Sequence, residues 1–319
     1  MRSSYKFITF FMLLLIFILA ITAQHTLCEP QTEKPIVVCT TSVLYSIVKD
    51  LAGDSVEAVM IVTPSVCPAH YDIKPGDVET IAKAQLVLYH GFEPWINSLV
   101  EASGTKAHVV KIGGPWNTPD YLKEKYEAVA NCLQEYLGID VSSRLEKCLA
   151  AIDKTANELK AEAAEIEADK VNVVCMTWVK GFVSWLGFNV VADYGPPEKL
   201  STAQVDELIQ KSRDGGAILV IDNLQSGTRF GEYLSSELGL VHVVLTNFPY
   251  TEPELVNCTM VMERNAKALF DAVSTYKHGA AAVKLESELS LWKTISFALV
   301  AIALIEGFAI AFLWRKLGK

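Results

Sequence analysis

The chain predicts an α/β protein of two lobes, each a parallel sheet flanked by helices, joined by a long rigid helix, with a transmembrane helix at the C-terminus. Three observations carry this fold class. Short β-branched apolar runs alternate with amphipathic stretches, the pattern of a parallel sheet covered on both faces. The alternation occurs twice, over 35–119 and 171–280, with an Ala-, Glu- and Lys-rich helical block at 120–170 between. Residues 294–314 then form a second hydrophobic segment, set apart from the body.

In the first half, the Ile-Val-Val-Cys run at 36–39 reads as a strand, followed by a Thr-Thr-Ser turn and an amphipathic helix to Leu51. Residues 56–62 read as a second strand leading into a Pro-rich turn. A helix over 76–84, a strand over 86–89, a helix over 93–102 and a strand over 108–112 complete this half. In the central block, 121–136 and 142–168 read as helices separated by a break at 138–141. The second is about 40 Å long at 1.5 Å per residue, enough to run along both halves. Cys132 and Cys148 lie on either side of the break, so a disulfide pinning the hairpin and two free thiols both fit.

The second half predicts strands at 171–176, 189–192, 217–221 and 241–245. Helices are expected at 179–186, 201–213, 228–238 and 256–276, with Ser201 as an N-cap.

The two ends carry targeting signals. Arg2 and Lys6 precede an uncharged apolar run, and Ile21-Thr22-Ala23 offers small residues for cleavage, so 1–23 reads as a signal peptide; an uncleaved signal anchor is the alternative. At the other end, 294–314 is long enough to cross a hydrocarbon core of about 30 Å. Arg315, Lys316 and Lys319 follow it and predict a cytoplasmic tail. The expected location is the cell membrane, C-terminally anchored, with the body outside the cytoplasm. Glu306, inside this span, either contacts a membrane partner or sits protonated at shallow depth.

A formal charge of -9 argues against nucleic acid as a partner. No Gly-x-Ser-x-Gly, no Gly-rich phosphate loop and no His-Glu-x-x-His helix is present, so the chain does not read as an enzyme. Asn257-Cys258-Thr259 is a glycosylation sequon, relevant only if the host glycosylates exported proteins. The most informative stretch is the turn over 63–77, where Cys67 and His70 stand three residues apart among Pro64, Pro68 and Pro75. A thiol and an imidazole ligate a soft or borderline cation, and the prolines reduce the entropy lost in fixing them. A Cys and a His in a surface loop are also individually commonplace.

Residues 37–44, the 64–77 loop, the Leu-Val-Leu-Tyr-His-Gly-Phe-Glu-Pro-Trp run at 86–95 and the long central helix resemble the zinc/manganese-type substrate-binding proteins of metal ABC importers. The resemblance covers about 35–276. It implies two lobes around one metal ion, which is the bound substrate rather than a cofactor, and a partner permease in the same bilayer to which a monomer delivers it.

The ligand positions depart from the family pattern. Ala69 stands where the first histidine is expected, with His70 one residue later and Cys67 an added thiol. Gly114 replaces the second imidazole, before Trp116. The third position falls on Cys175 and Met176, and the last carboxylates fall near Asp222 and Asn247. The implied metal site is therefore Cys67, His70, Cys175, Met176 and Asp222, with Cys39 a further contributor and His90 beside it. Sulfur ligands favour Cu(I), or zinc, over manganese. Buried structural cysteines, a Cys67–Cys175 disulfide, a metal chaperone or sensor, and a cleft repurposed for a small organic ligand remain as alternatives.

Overall fold

A computed structural model describes Met12 and residues 33–317, with only part of the side chains beyond Gly279. The chain divides into a unit over Met1–Pro35 and a unit over Ile36–Lys319. Apart from Met12, the predicted signal peptide lies outside the described residues. Both lobes belong to the second unit.

The first lobe runs β1 (Ile36–Cys39), α1 (Ser42–Ala52), β2 (Glu57–Met60), α2 (Pro75–Lys83), β3 (Leu86–Tyr89), α3 (Ile96–Ser103) and β4 (His108–Lys111). Its sheet has the order β2-β1-β3-β4, with every pair parallel. Helices cover both faces, so Val37, Val38, Leu86, Val87 and Leu88 are all fully buried, as expected for continuous apolar strands of a parallel sheet. Helix α2 starts one residue earlier than the sequence suggests because Pro75 suits the first helical position. The Asp77 carboxylate caps it by accepting from Lys74 N at 2.8 Å.

The helical block is α4 (Pro119–Leu137) and α5 (Ser142–Glu165), joined through Gly138 in the left-handed region. Ile152, Thr155, Leu159 and Ala163 form the buried stripe of α5, one face of a 3.6-residue period. Helix α5 contacts α1 of the first lobe and, in the second, the helices Thr177–Leu186 and Cys258–Leu317. Tyr126 Oη donates to Asp50 Oδ2 at 2.6 Å and fastens α4 to α1. Cys132 and Cys148 are free, so the hairpin carries no disulfide.

The second lobe runs β5 (Asn172–Met176), α6 (Thr177–Leu186), β6 (Asn189–Tyr194), α7 (Thr202–Asp214), β7 (Leu219–Asn223), α8 (Arg229–Leu238), β8 (Val241–Leu245) and α9 (Cys258–Leu317). Its sheet order, β6-β5-β7-β8, repeats that of the first lobe, again all parallel. Helix α9 lays Met262, Ala266, Leu269 and Val273 into the core and does not stop near 276.

This continuation corrects the expected membrane anchor. Helix α9 runs unbroken for 60 residues, and among the described residues no helix is long and apolar enough to cross a membrane. The apolar residues at 294–314 extend a helix that carries Lys284, Glu286, Glu288 and Lys293 in the preceding turns and Glu306 within the run itself. The transmembrane element of the fold class and the C-terminally anchored location at the cell membrane both fall with it. The Glu306 side chain lies outside the described residues.

Candidate functional site: the seam between the lobes

In both lobes the loops at the strand ends face one seam. On the first lobe, β1 delivers Thr40 and Thr41, and β3 delivers His90 and Glu93. The Glu93 carboxylate accepts from Thr40 Oγ1 at 2.5 Å, His90 N at 3.0 Å and Gly91 N at 2.7 Å. Three donors satisfy a carboxylate that is only 3% exposed, which is what a buried charge requires.

His90 is equally committed. Its Nδ1 lies 3.1 Å from the Ile112 carbonyl and its Nε2 2.9 Å from Thr41 Oγ1. A carbonyl only accepts, so Nδ1 carries the proton and Nε2 accepts from the threonine hydroxyl. Burial lowers the imidazole's pKa to about 4, and the nearby Lys125 ammonium acts in the same direction against the Glu93 carboxylate. The ring is held neutral, with its lone pair occupied by Thr41.

His90 stacks on Phe92 and on Trp116, with centroids 5.3 and 4.5 Å apart, and Trp116 in turn meets Phe248 of the second lobe at 5.6 Å. Trp116 Nε1 donates to the Asn247 carbonyl at 2.9 Å. Asn117 Nδ2 and Asn247 Nδ2 both donate to the Trp178 carbonyl, at 3.0 and 2.9 Å. Gln225 Nε2 reaches the Pro64 carbonyl at 3.1 Å and Thr246 Oγ1 at 2.9 Å. The bonds that cross the seam, Trp116–Asn247, Asn117–Trp178 and Gln225–Pro64, are all between neutral groups. A cavity of ≈ 10 Å³ beside Trp116, Asn117, Thr246 and Asn247 has room for about one water.

The predicted ligands are not gathered. Cys67, half-buried, precedes the short turn Pro68–His70, and His70 is exposed. Trp95 Nε1 donates to the Pro68 carbonyl at 2.8 Å and holds this turn to the first lobe. Cys175 and Met176 end β5 in the core, at 0% and 1% exposure. Burial pushes the Cys175 thiol up to about 12. Cys39 is buried too and its thiol is raised further, again by burial.

Asp222 faces α8, where its carboxylate accepts from Tyr194 Oη and lies 2.8 Å from His242 Nε2. Gly231 of α8 lies so close that a Cβ there would overlap the carboxylate. Among the described residues, no three His, Cys, Asp or Glu side chains are grouped to hold a metal ion, and no cysteine is in a disulfide.

Gly114, where the resemblance expects an imidazole, has φ +86° and is bordered by a lysine instead. The buried Lys125 Nζ donates to the Gly113 carbonyl at 2.5 Å and lies 3.2 Å from the place a Gly114 Cβ would take. Sequence reasoning missed Glu93, Lys125 and Asn117; Glu93 and Asn117 have partners 53 and 61 residues away, in Thr40 and Trp178. The Thr-Thr pair after β1 and the Glu-Pro-Trp of 93–95 were the available signals.

Comparison with known proteins agrees with this architecture. Residues 37–272 match the family model of ZnuA, the periplasmic component A of the zinc-uptake complex. The manganese ABC transporter substrate-binding lipoprotein ScaA of Streptococcus gordonii is 29% identical over 107 residues, 32% of this chain and 34% of that protein. The corresponding lipoprotein PsaA of Streptococcus pneumoniae is 32% identical over 93 residues, 27% of this chain and 30% of its own. These matches thus span about a third of the curated relatives' length.

Solved structures share the fold over nearly their full length. The periplasmic zinc-binding protein TroA of Treponema pallidum gives a TM-score of 0.66 at 18% identity, covering 75% of this chain and 99% of that one. The Mn-bound periplasmic metal-binding protein of Candidatus Liberibacter asiaticus gives 0.65 at 14% identity, covering 75% and 100%. With the family model matched from the first strand of one lobe to the last helix of the other, the chain belongs to the ZnuA family of periplasmic transport components, which are not enzymes.

Proposed function

We propose that this chain is the solute-binding component of a metal-ion ABC importer, and that it takes its ion on the loop after β2 and delivers it to a permease outside the cytoplasm. The observation that carries the ligand assignment is exposure. Of the five predicted ligands, Cys67 and His70 alone reach solvent, on a turn fixed by the Trp95–Pro68 bond. Cys175, Met176 and Asp222 join such a site only if the second lobe gives up packing or hydrogen bonds that now engage them. A thiol and an imidazole suit Cu(I) or zinc better than manganese. Two ligands hold an ion weakly enough to hand it on.

The test is titration of the reduced, metal-free full chain with Cu(I), Zn(II) and Mn(II). The expected order places Mn(II) last, with at least a tenfold loss of affinity in Cys67→Ser and in His70→Ala and none in Cys175→Ala. Tightest binding of Mn(II), or an unchanged Cys67→Ser, rejects the assignment.

The neutral seam favours a second reading, a metal chaperone or sensor that works without an importer. Trp116, Asn117 and Gln225 join the lobes through the protein's own neutral hydrogen bonds. Co-purification of the chain with a permease and its ATPase supports import; a partner set lacking both supports the chaperone.

A further inference from the structure

We propose that Asn257 is an acceptor for N-linked sugar, attached while the chain is handled outside the cytoplasm. Asn257-Cys258-Thr259 is the one Asn-X-Ser/Thr triplet in the chain, and neither its middle residue nor the position after it is proline. Asn117-Thr118-Pro119, by contrast, lacks the hydroxyl residue at the third position.

The structure divides the Asn257 amide into a used half and an unused half. Oδ1 accepts from Met260 N at 3.1 Å, the bond of a helix N-cap at the start of α9, and from Thr259 Oγ1 at 2.7 Å. Nδ2 donates no hydrogen bond among the described residues. A sugar on Nδ2 therefore leaves the cap intact. The surroundings have room for it: Glu252, Pro253 and Glu254 are exposed in the preceding turn, and Val256 and Met260 flank the site at 42% and 38% exposure. A bulky, solubilising group also covers these two exposed apolar side chains.

The donor class is a sugar activated on a polyprenyl phosphate or pyrophosphate, and the catalyst is a membrane oligosaccharyltransferase. Asn257 Nδ2 attacks C1 of the sugar, and the N–C1 bond forms as the C1–O bond to phosphate breaks. The phosphate leaves with the electron pair, and the amide proton passes to a base of the transferase. No oxidant or reductant takes part.

The assignment rests on the extracytoplasmic reading, and one experiment separates the two. The full chain is isolated from the cells that make it, and the peptide bearing Asn257 is weighed by mass spectrometry; intact cells are treated in parallel with external protease. The expected result is a glycan mass on Asn257, absent in Asn257→Asp and Thr259→Ala and kept in Thr259→Ser. Asp retains the capping oxygen, so loss of the glycan in that variant is not loss of the fold. An unmodified Asn257 in protease-accessible protein overturns the acceptor assignment alone. An unmodified Asn257 in protease-protected protein overturns both.

Discussion

Trp116 Nε1 and the Asn247 carbonyl, 131 residues apart in sequence, meet at 2.9 Å and join the two lobes. The indole also stacks on His90 and meets Phe248 at a tilt, so one side chain serves both a polar and an apolar bridge. Trp116→Phe keeps the stack and removes the donor, with an expected loss of about 1 kcal/mol. Trp116→Ala removes both and is expected to cost about 3 kcal/mol. Denaturant unfolding measures the two costs. Amide exchange of 246–248 is expected to rise in both variants; unchanged exchange in Trp116→Ala contradicts a bridging role.

Asp222 and Gly231 form a pair whose energies do not add. Gly231→Ala drives a methyl into the carboxylate and is expected to destabilise by about 3 kcal/mol. Asp222→Ala strands Tyr194 Oη and His242 Nε2 at a cost of about 2 kcal/mol. Combined, the two are expected to cost less than their sum by at least about 1 kcal/mol, because each removes what the other clashes with or supports. Strict additivity in a double-mutant cycle rejects this packing.

Lys125 makes Gly114 more than a turn residue. Gly114→Ala meets two penalties, the left-handed backbone at φ +86° and the Lys125 ammonium. In a Lys125→Ala background only the first remains, so the substitution at 114 is expected to become cheaper by about 1 kcal/mol. Equal costs in both backgrounds dispose of the steric link.

Stability is expected to fall with acid through His90. Its folded pKa, about 4, lies below the ordinary value of 6.5 because burial disfavours the imidazolium. The unfolded chain thus takes up a proton first, and stability present above pH 6.5 is lost as pH falls toward 4. The full effect is about 3 kcal/mol. Urea midpoints measured from about pH 7 to about 4.5 check it, and in His90→Gln this component of the slope is expected to vanish.

Thiol labelling separates the cysteines by position. Among the cysteines of the described residues, Cys67 is expected to react first with a maleimide in the native state, with Cys39, Cys175 and Cys258 protected until unfolding, since all three are buried and their thiols raised by that burial. Early labelling of Cys175 by peptide mapping refutes the placement of β5 in the core.

The fold was largely legible because its signals are local. Pro75, Ser201 and the β-branched runs at 36–39 and 219–221 specify their own elements, and alternating strand and helix implies parallel sheets. The site was less legible because it depends on parity and distance. Asp222 and Asn223 are neighbours, yet strand alternation sends one to α8 and the other toward Gln225. No local pattern reports that Thr40 and Glu93 pair across 53 residues, or that Lys125 borders Gly114. The apolar run at 294–314 misled for the opposite reason, since a local property was read without the helix it continues.

Gln225 of the second lobe reaches the 63–77 loop at Pro64, but the bond from Trp95 to the Pro68 carbonyl ties the Cys67–His70 turn itself to the first lobe. An ion held there is a passenger of that lobe. If the halves swing apart, it travels with the turn and its coordination stays intact. Unloading then depends on a competing ligand arriving from outside, and not on how widely the protein opens.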